Sequence, residues 1–233
     1  MKIKIFADGA NLQEMISCYQ NGNRVHGFTT NPTLMRKAGV TDYEGFAHEV
    51  LVAIPDLPIS FEVFSDDLPE MERQARKIAA WGKNVYVKIP VTNTQKISTA
   101  PIIKNLSHAG IKVNITAVFT VSQVGEVLDA LSAKIPSIIS IFGGRIANAG
   151  VDPMPIMKEA VEMAKKFPLC EILWASPREV FNIIQADQVG CHIITVTPDI
   201  LNTMKTLNKD LQQYSLETVR MFYQDATKAG YQL

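Results

Sequence analysis

Cysteine and histidine are scarce in this sequence, and they are not grouped. The 233 residues include four histidines and only three cysteines, Cys18, Cys170 and Cys191. The chain has no C-x-x-C pair and no Cys/His cluster, so it predicts neither a disulfide framework nor a zinc site. We expect the cysteines to be free, buried thiols in a reducing compartment, and we expect chemistry that needs no metal.

An excess of one charge is also absent. Lys and Arg together number 23, as do Asp and Glu, so the formal net charge is zero. A chain without a long-range positive field is not expected to have nucleic acid or an anionic membrane as its main partner. A few local cations can still hold a small anion such as a phosphate ester.

Targeting segments and nucleotide motifs are missing as well. The N-terminus lacks the apolar segment of a signal peptide, and no apolar run is long enough to span a bilayer. The expected location is therefore cytoplasmic. The glycine motifs of P-loop and dinucleotide-binding proteins do not occur, so no nucleotide cofactor is expected.

What the chain does contain is an alternation of short β-branched runs with segments of helical period. Eight runs have the length and composition of buried strands, at about 3–7, 25–29, 59–64, 85–89, 112–117, 137–142, 170–175 and 191–196. This alternation indicates a parallel α/β sheet. A doubly wound open sheet fits it too, but the number eight favours a closed (β/α)8 TIM barrel. No linker divides the chain, so a single domain over 1–233 is expected.

Apolar stripes of helical period lie between the strands. They predict helices over about 42–54, 121–131 and 155–166. Capping residues before helices are expected at Asp42, Ser98, Ser176-Pro177 and Thr197-Pro198. A last helix, about 215–229, lies outside the eight units and is expected to cover a barrel end or another subunit.

Polar side chains collect at the carboxyl ends of the predicted strands, where the active sites of (β/α)8 barrels are built. A chain folded only for stability has no need of an acid, a base, an amide and an amine at one face. The residues concerned, in chain order, are Asp8, Asn31, Glu62, Lys88, Asn114, Thr116, Ser140, Arg145, Ser176 and Arg178.

Lys88 is the most informative of these residues. In the predicted strand, period-2 alternation turns Tyr86 and Lys88 into the barrel and turns Val85, Val87 and Ile89 towards the helices. Burial disfavours the charged ammonium and leaves a nucleophilic amine, which imine formation with a ketone requires. The alternative is a strand-end lysine whose head reaches solvent.

The neighbouring polar residues have both functional and ordinary interpretations. Asp8 and Glu62 are candidate acid/base groups, although Asp8 before Gly9 is also a plausible helix N-cap. Asn31 before Pro32 is equally suited to begin a helix. Asn114 and Thr116, two residues apart, point inward together, which suits ligand binding.

Two segments form a candidate anion site. Gly143-Gly144-Arg145 and Ser176-Pro177-Arg178 each place a guanidinium near small or hydroxyl residues and a helix start. Backbone N–H groups and an arginine fork together can hold a phosphate. Either segment alone is common in ordinary loops, and their occurrence after adjacent strands is what indicates a site.

Four segments resemble the transaldolase family, specifically its short single-barrel branch, which includes fructose-6-phosphate aldolases. They are Thr29-Thr30-Asn31-Pro32-Thr33-Leu34, Val87-Lys88-Ile89-Pro90-Val91-Thr92, Asn114-Ile115-Thr116-Ala117-Val118-Phe119 and Ile139-Ser140-Ile141-Phe142-Gly143-Gly144-Arg145-Ile146. The similarity runs from Asp8 to about Arg178. It implies a cofactor-free sugar-phosphate enzyme of the pentose phosphate type, and a ring-like homo-oligomer, a pentamer or decamer.

The resemblance also implies a role for each matched residue. Lys88 would be the Schiff-base lysine and Asp8 the acid/base at the C4 hydroxyl, with Glu62 and Thr116 holding the catalytic water. Binding of the dihydroxyacetone portion would fall to Asn31, Asn114 and Ser140, and binding of the phosphate to Arg145, Ser176 and Arg178. The implied reaction moves a three-carbon unit from a ketose phosphate to an aldose phosphate.

Two positions bear on the choice within the family. The aldolase branch has Gln in place of Glu62 and Tyr in place of Phe142, so this chain resembles the transferases. A phenylalanine cannot help to protonate the enamine, which then survives until an acceptor arrives. An aldolase that releases free dihydroxyacetone and a barrel that binds sugar phosphate without catalysis remain alternatives. Gly9, Ile141 and Pro177 depart from the usual family residues.

Overall fold

The computed structural model describes residues 1–20 and 25–233. Eight parallel strands form a closed barrel in which each strand pairs with the next and β8 pairs with β1. The TIM-barrel prediction is confirmed. The strands are β1 (Lys4–Asp8), β2 (Gly27–Thr29), β3 (Ile59–Glu62), β4 (Val85–Pro90), β5 (Val113–Val118), β6 (Ser137–Ile141), β7 (Cys170–Trp174) and β8 (Ile193–Val196).

Helices surround the barrel. They are α1 (Leu12–Gln20), α2 (Pro32–Lys37), α3 (Tyr43–Ala53), α4 (Leu68–Ala79), α5 (Ala100–His108), α6 (Val121–Ala130), α7 (Gly143–Asn148), α8 (Pro153–Ala164), α9 (Phe181–Gln188), α10 (Pro198–Thr203) and α11 (Leu211–Ala229). None of the helices in these described ranges combines the length and hydropathy needed to cross a bilayer.

The strands separate two apolar layers, because successive side chains of a strand point to opposite faces. Val85, Val87 and Ile89 of β4 lie in the large core between barrel and helices. Tyr86 instead packs against a small cluster inside the barrel that includes Phe6. The predicted orientation of β4 is therefore confirmed.

Three of the four predicted caps lie at the start of a helix, and one prediction is wrong. Asp42 caps α3, accepting from the Gly45 N–H at 3.0 Å, and Thr197 precedes Pro198 at the start of α10. Ser98 also acts as a cap, since its Oγ accepts from the Ala100 N–H at 3.1 Å, although α5 begins only after Thr99.

Ser176-Pro177 does not begin a helix, because α9 starts only at Phe181. The Asn182 side chain takes the backbone N–H groups of Arg178 and Glu179 instead. This interaction holds the residues after β7 in a loop, which leaves Ser176 free to adopt a left-handed backbone.

Helix α11 is longer than the predicted 215–229, since it begins four residues earlier, at Leu211 after the cap Asp210; Gly230 ends it with a φ of 68°. It has no buried residue. Its apolar side includes Val219, Phe222 and Tyr223, all exposed. Within the single chain, therefore, this helix does not cover a barrel end.

Candidate active site

A cavity of about 530 Å³ opens at the carboxyl end of the strands. Ten of the eleven predicted site residues line it: Asp8, Asn31, Glu62, Lys88, Thr116, Ser140, Phe142, Arg145, Ser176 and Arg178. The closed barrel brings together residues from seven different strands or the loops after them. The fold thus makes one site of residues up to 170 positions apart.

A cavity of about 710 Å³ lies at the opposite end of the barrel. Its wall includes Lys4 and Glu171, which form an ion pair at 2.8 Å. Size alone does not identify a reactive site, and (β/α)8 enzymes place theirs at the carboxyl end of the strands. We therefore assign the smaller cavity as the candidate active site.

Lys88 provides a largely buried amine in the lining of the cavity. Its side chain is 8% exposed, and its Nζ lies 3.1 Å from Glu62 Oε2. Nζ also donates to the Thr30 carbonyl oxygen at 3.2 Å. Glu62 and Lys88 are register partners on β3 and β4, so the carboxylate and the amine are adjacent because the sheet pairs them. This arrangement can take a proton from the amine and return it.

Asp8 is a carboxyl with altered acidity. Burial raises its pKa above the ordinary value, while the charge of Lys88 and a hydrogen bond from Thr29 act in the opposite direction. The Thr29 hydroxyl donates to Asp8 Oδ1 at 2.7 Å. A carboxyl whose pKa lies above that of an ordinary aspartate is better suited to accept a proton and give it back near neutral pH.

Tyr43, the first residue of α3, fixes the end of β3 and was not identified from the sequence as a site residue. Its hydroxyl donates to the Glu62 carbonyl oxygen at 2.7 Å and accepts from the Glu62 N–H at 2.9 Å. Burial raises the pKa of the Tyr43 hydroxyl, so it stays neutral. Glu62 is thereby held at its backbone, and its side chain faces Lys88.

Asn114 does not line the cavity and lies just beneath it. Its Oδ1 accepts from the Ser140 hydroxyl at 2.7 Å, and its Nδ2 donates to Ser60 Oγ at 3.0 Å. All three side chains are buried. The pairing orients Ser140 at the cavity wall, and Asn114 reaches the cavity through Ser140.

Thr116 presents a hydroxyl that the protein leaves unused. Its Oγ1 is buried and has no hydrogen-bond partner within the described ranges. The next residue, Ala117, has a φ of 58°, and the pairing of β5 with β6 shifts register there. A buried polar atom and a strained backbone both cost stability, and both are common at functional sites.

Asn31 begins a helix and also faces the cavity. Its Oδ1 accepts from the Leu34 N–H at 3.0 Å and caps α2, while the residue also lines the cavity. Lys37, at the end of α2, lines the same cavity and was not identified from the sequence. Nothing in the sequence distinguishes it from a solvated helix lysine.

The segments after β6 and β7 form a basic wall. The Arg145 guanidinium carbon lies 5.2 Å from the centre of the Phe142 ring, and Arg178 Nε donates to Asn148 Oδ1 at 3.2 Å. Ser176 has a φ of 60°. A Cβ on Gly144 would lie 1.6 Å from the Ser176 carbonyl oxygen, so only glycine allows this approach. The wall suits a phosphate group.

Two of the residues that differ from the usual family pattern lie at different distances from the cavity. Pro177 lines the cavity, whereas Ile141 is fully buried in the core outside the barrel. The substitution at Ile141 therefore does not alter the cavity wall. No group of three His, Cys, Asp or Glu residues placed to hold a metal occurs in residues 1–20 and 25–233.

A (β/α)8 barrel with a buried lysine, two carboxyl groups and a basic wall at its carboxyl end has the form of an enzyme for anionic substrates. Residues 5–233 match the model of the Transaldolase/Fructose-6-phosphate aldolase family. The chain therefore belongs to that family.

Curated relatives carry related names. A "Probable transaldolase" of Dehalococcoides mccartyi is 36% identical over 203 residues, which cover 87% of this chain and 90% of the relative. Another, from Thermoanaerobacter sp., is 34% identical over 230 residues, covering 98% and 99%. The crystal structure of KGPDC from Streptococcus mutans has a TM-score of 0.54 at 16% identity, covers 86% of this chain and 90% of that one, and supports the fold alone.

Proposed function

We propose that this protein is a transaldolase that transfers a dihydroxyacetone unit from a ketose phosphate to an aldose phosphate through a Schiff base on Lys88. The donor is fructose 6-phosphate or sedoheptulose 7-phosphate. The observation that carries the proposal is the amine of Lys88, nearly buried, 3.1 Å from a carboxylate and in a cavity with a basic wall.

Imine formation is the first step. Once it has lost a proton, the Lys88 amine attacks the C2 carbonyl carbon of the ketose, and the resulting carbinolamine loses one water molecule. Glu62, adjacent to Nζ, is positioned to supply and remove the protons of this step. The unpartnered Thr116 hydroxyl is available to hold the water that leaves.

Cleavage of the C3–C4 bond follows. Asp8 removes the proton of the C4 hydroxyl, the C4–O bond becomes a carbonyl, and the electron pair of the broken bond moves into the protonated imine as an enamine. Carbons 4–6 of fructose 6-phosphate thus leave as glyceraldehyde 3-phosphate, and carbons 1–3 stay bound to Lys88 as the enamine. Asn31 and Ser140, at the cavity wall, would hold the hydroxyl groups of the retained three-carbon unit.

The transfer reverses these steps with another aldehyde. The enamine carbon attacks the carbonyl carbon of the acceptor aldose phosphate, Asp8 returns its proton to the new hydroxyl, and water releases the longer ketose. Arg145, Ser176 and Arg178 would hold the phosphate of donor and acceptor in turn, which keeps each reacting carbon near Lys88.

Borohydride trapping tests the Schiff base. Reduction in the presence of fructose 6-phosphate should attach the three-carbon or six-carbon unit irreversibly to Lys88, located by peptide mass mapping. Lys88→Met should give no adduct and no turnover. Lys104→Met removes an exposed lysine of α5 and serves as the matched control, with adduct and activity retained. Undiminished turnover by Lys88→Met would contradict the proposal.

An aldolase that releases dihydroxyacetone is the second candidate. Phe142 lines the cavity and has no hydroxyl to deliver a proton to the enamine, which favours transfer. With fructose 6-phosphate alone, free dihydroxyacetone should stay far below the amount of product formed when erythrose 4-phosphate is added. Equal rates with and without the acceptor would favour the aldolase.

We also propose a pathway, a cellular location and an oligomeric state. Membership of a carbohydrate-metabolising family supports a role in the pentose phosphate pathway and a cytoplasmic location. The exposed apolar side of α11 supports a homo-oligomer in which another subunit covers it. The number of subunits, a pentamer or decamer, is what the resemblance to the short single-barrel branch of the family implies. Residues 1–233 are proposed to act as a single barrel domain in each subunit.

A further inference from the structure

Two side chains from the neighbouring strands are linked, one through the other, to the Asp8 carboxyl group. Thr29 of β2 donates its hydroxyl to Asp8 Oδ1 at 2.7 Å, and the same hydroxyl is hydrogen-bonded to Oγ1 of Thr195 on β8. Thr29 and Thr195 are 2% and 5% exposed. Since β1 pairs with both β2 and β8, the barrel itself holds these three side chains at fixed separations.

The direction of the hydrogen bonds follows from the number of protons. A threonine hydroxyl has one proton to donate and lone pairs with which to accept, whereas an ionised carboxylate only accepts. While Asp8 is ionised, the Thr29 proton must point to it. The bond between the two threonines then needs the proton of Thr195. The order is therefore Thr195 to Thr29 to Asp8.

We propose that Thr195 is a positioning residue for the reaction, which acts through Thr29 to hold Asp8 ionised and oriented towards the C4 hydroxyl of the substrate. The inference rests on the proposed role of Asp8. When Asp8 takes the substrate proton, it no longer needs a donor, and the threonine protons can turn without any net proton loss. The stabilisation is thus specific to the form of Asp8 that acts as the base.

Several charged groups influence the acidity of Asp8. Burial raises its pKa, and the charge of Lys88 together with the Thr29 bond opposes that effect. The charged groups that share its cavity are Lys88, Glu62, Lys37, Arg145 and Arg178. Substitution of Thr195 changes none of these charges, so a change in the pH profile would report the threonine pair.

Thr195→Val tests the inference, because valine keeps the shape of threonine and removes its hydroxyl. We expect the acid limb of the kcat profile to move to higher pH by about half a unit to one unit, since a hydrogen bond between neutral groups, such as that from Thr195 to Thr29, contributes on this scale. KM for fructose 6-phosphate and borohydride trapping at Lys88 should stay close to wild type. Thr195→Ser should restore the wild-type limb.

The control is Thr203→Val, which removes an exposed threonine hydroxyl that donates to the Asp199 carbonyl oxygen in α10. Should Thr195→Val fail to fold, the comparison of Thr195→Ala with Thr195→Ser gives the same information. An unshifted acid limb in a variant that still traps substrate would overturn the inference and leave the proposed function standing. Equal shifts in the serine and valine variants would also overturn it. A wild-type protein without a Lys88 adduct would overturn both.

Discussion

Gly144→Ala is a single-methyl change whose effect can be worked out from the geometry of the basic wall. The new Cβ would lie 1.6 Å from the Ser176 carbonyl oxygen, whereas real Cβ atoms do not approach closer than 3.0 Å. The obstacle is backbone, which cannot swing aside as a side chain does. The segment from Ser176 to Arg178 must therefore move by at least about 1.4 Å, or α7 must move by as much.

The substitution should lower both the free energy of unfolding and the reaction rate. Overpacking a tight site costs about 3 kcal/mol of unfolding free energy, which for a chain of this length lowers Tm by roughly 6–12 °C. A displacement near 1 Å at a substrate-positioning group can lower the rate about 100-fold. We therefore expect kcat/KM for fructose 6-phosphate to fall by about that factor. Unphosphorylated fructose, which needs no phosphate site, should be affected much less.

Calorimetry and steady-state kinetics with both sugars are the assay. The matched control is Gly125→Ala in the middle of α6, where the nearest atom is the Met163 methyl at 3.3 Å, the flexible end of a side chain. There alanine should leave activity intact and stabilise the helix by up to about 1 kcal/mol. If Gly144→Ala kept wild-type Tm and wild-type kcat/KM, the geometric reasoning about the phosphate wall would be refuted.

Two further substitutions test the carboxyl and the enamine. Because burial raises the pKa of Asp8, the folded state holds its proton more tightly than the unfolded chain does. Its contribution to the free energy of unfolding is therefore fully present below the pKa that Asp8 has in the unfolded chain, and it is lost as the pH rises through the pKa in the folded state. Asp8→Asn should remove this dependence of the free energy of unfolding on pH, measured by denaturation at several pH values. The same substitution should lower kcat about 10²–10⁴-fold. An unchanged pH dependence of stability would be evidence against the raised pKa of Asp8. Phe142→Tyr should raise the rate of free dihydroxyacetone release from fructose 6-phosphate, measured without acceptor, and no increase would contradict the assigned role of Phe142.

Much of the site could be predicted because parallel strands point their carboxyl ends the same way. Once eight strands are recognised, a polar residue at the end of each must face one rim. Lys88 was identifiable because a charged side chain at an inward position of an apolar strand needs a reason to be there. Arg145 and Arg178 were identifiable for a related reason, since each follows small or hydroxyl residues near a strand end.

Other site residues had no such signal. Thr29 and Thr195 have the β-branched side chains that any strand favours, and only the closure of β8 against β1 brings their hydroxyl groups together. Tyr43 belongs to the apolar stripe of α3, and its hydroxyl meets Glu62 only after the helix has packed on the barrel. The cap predicted at Ser176 was wrong because Asn182, six residues on, takes the neighbouring N–H groups.

Periodicity and local chemistry are enough to predict the alternation of strands and helices, the inward face of β4 and the residue types at the strand ends. Which of those residues lie together in the wall of the cavity follows only from the folded structure. Distances such as that from Lys88 to Glu62 depend on strand register, and the approach of Gly144 to Ser176 depends on how two loops meet. Register and loop contacts arise between segments far apart in the chain, so no local pattern encodes them.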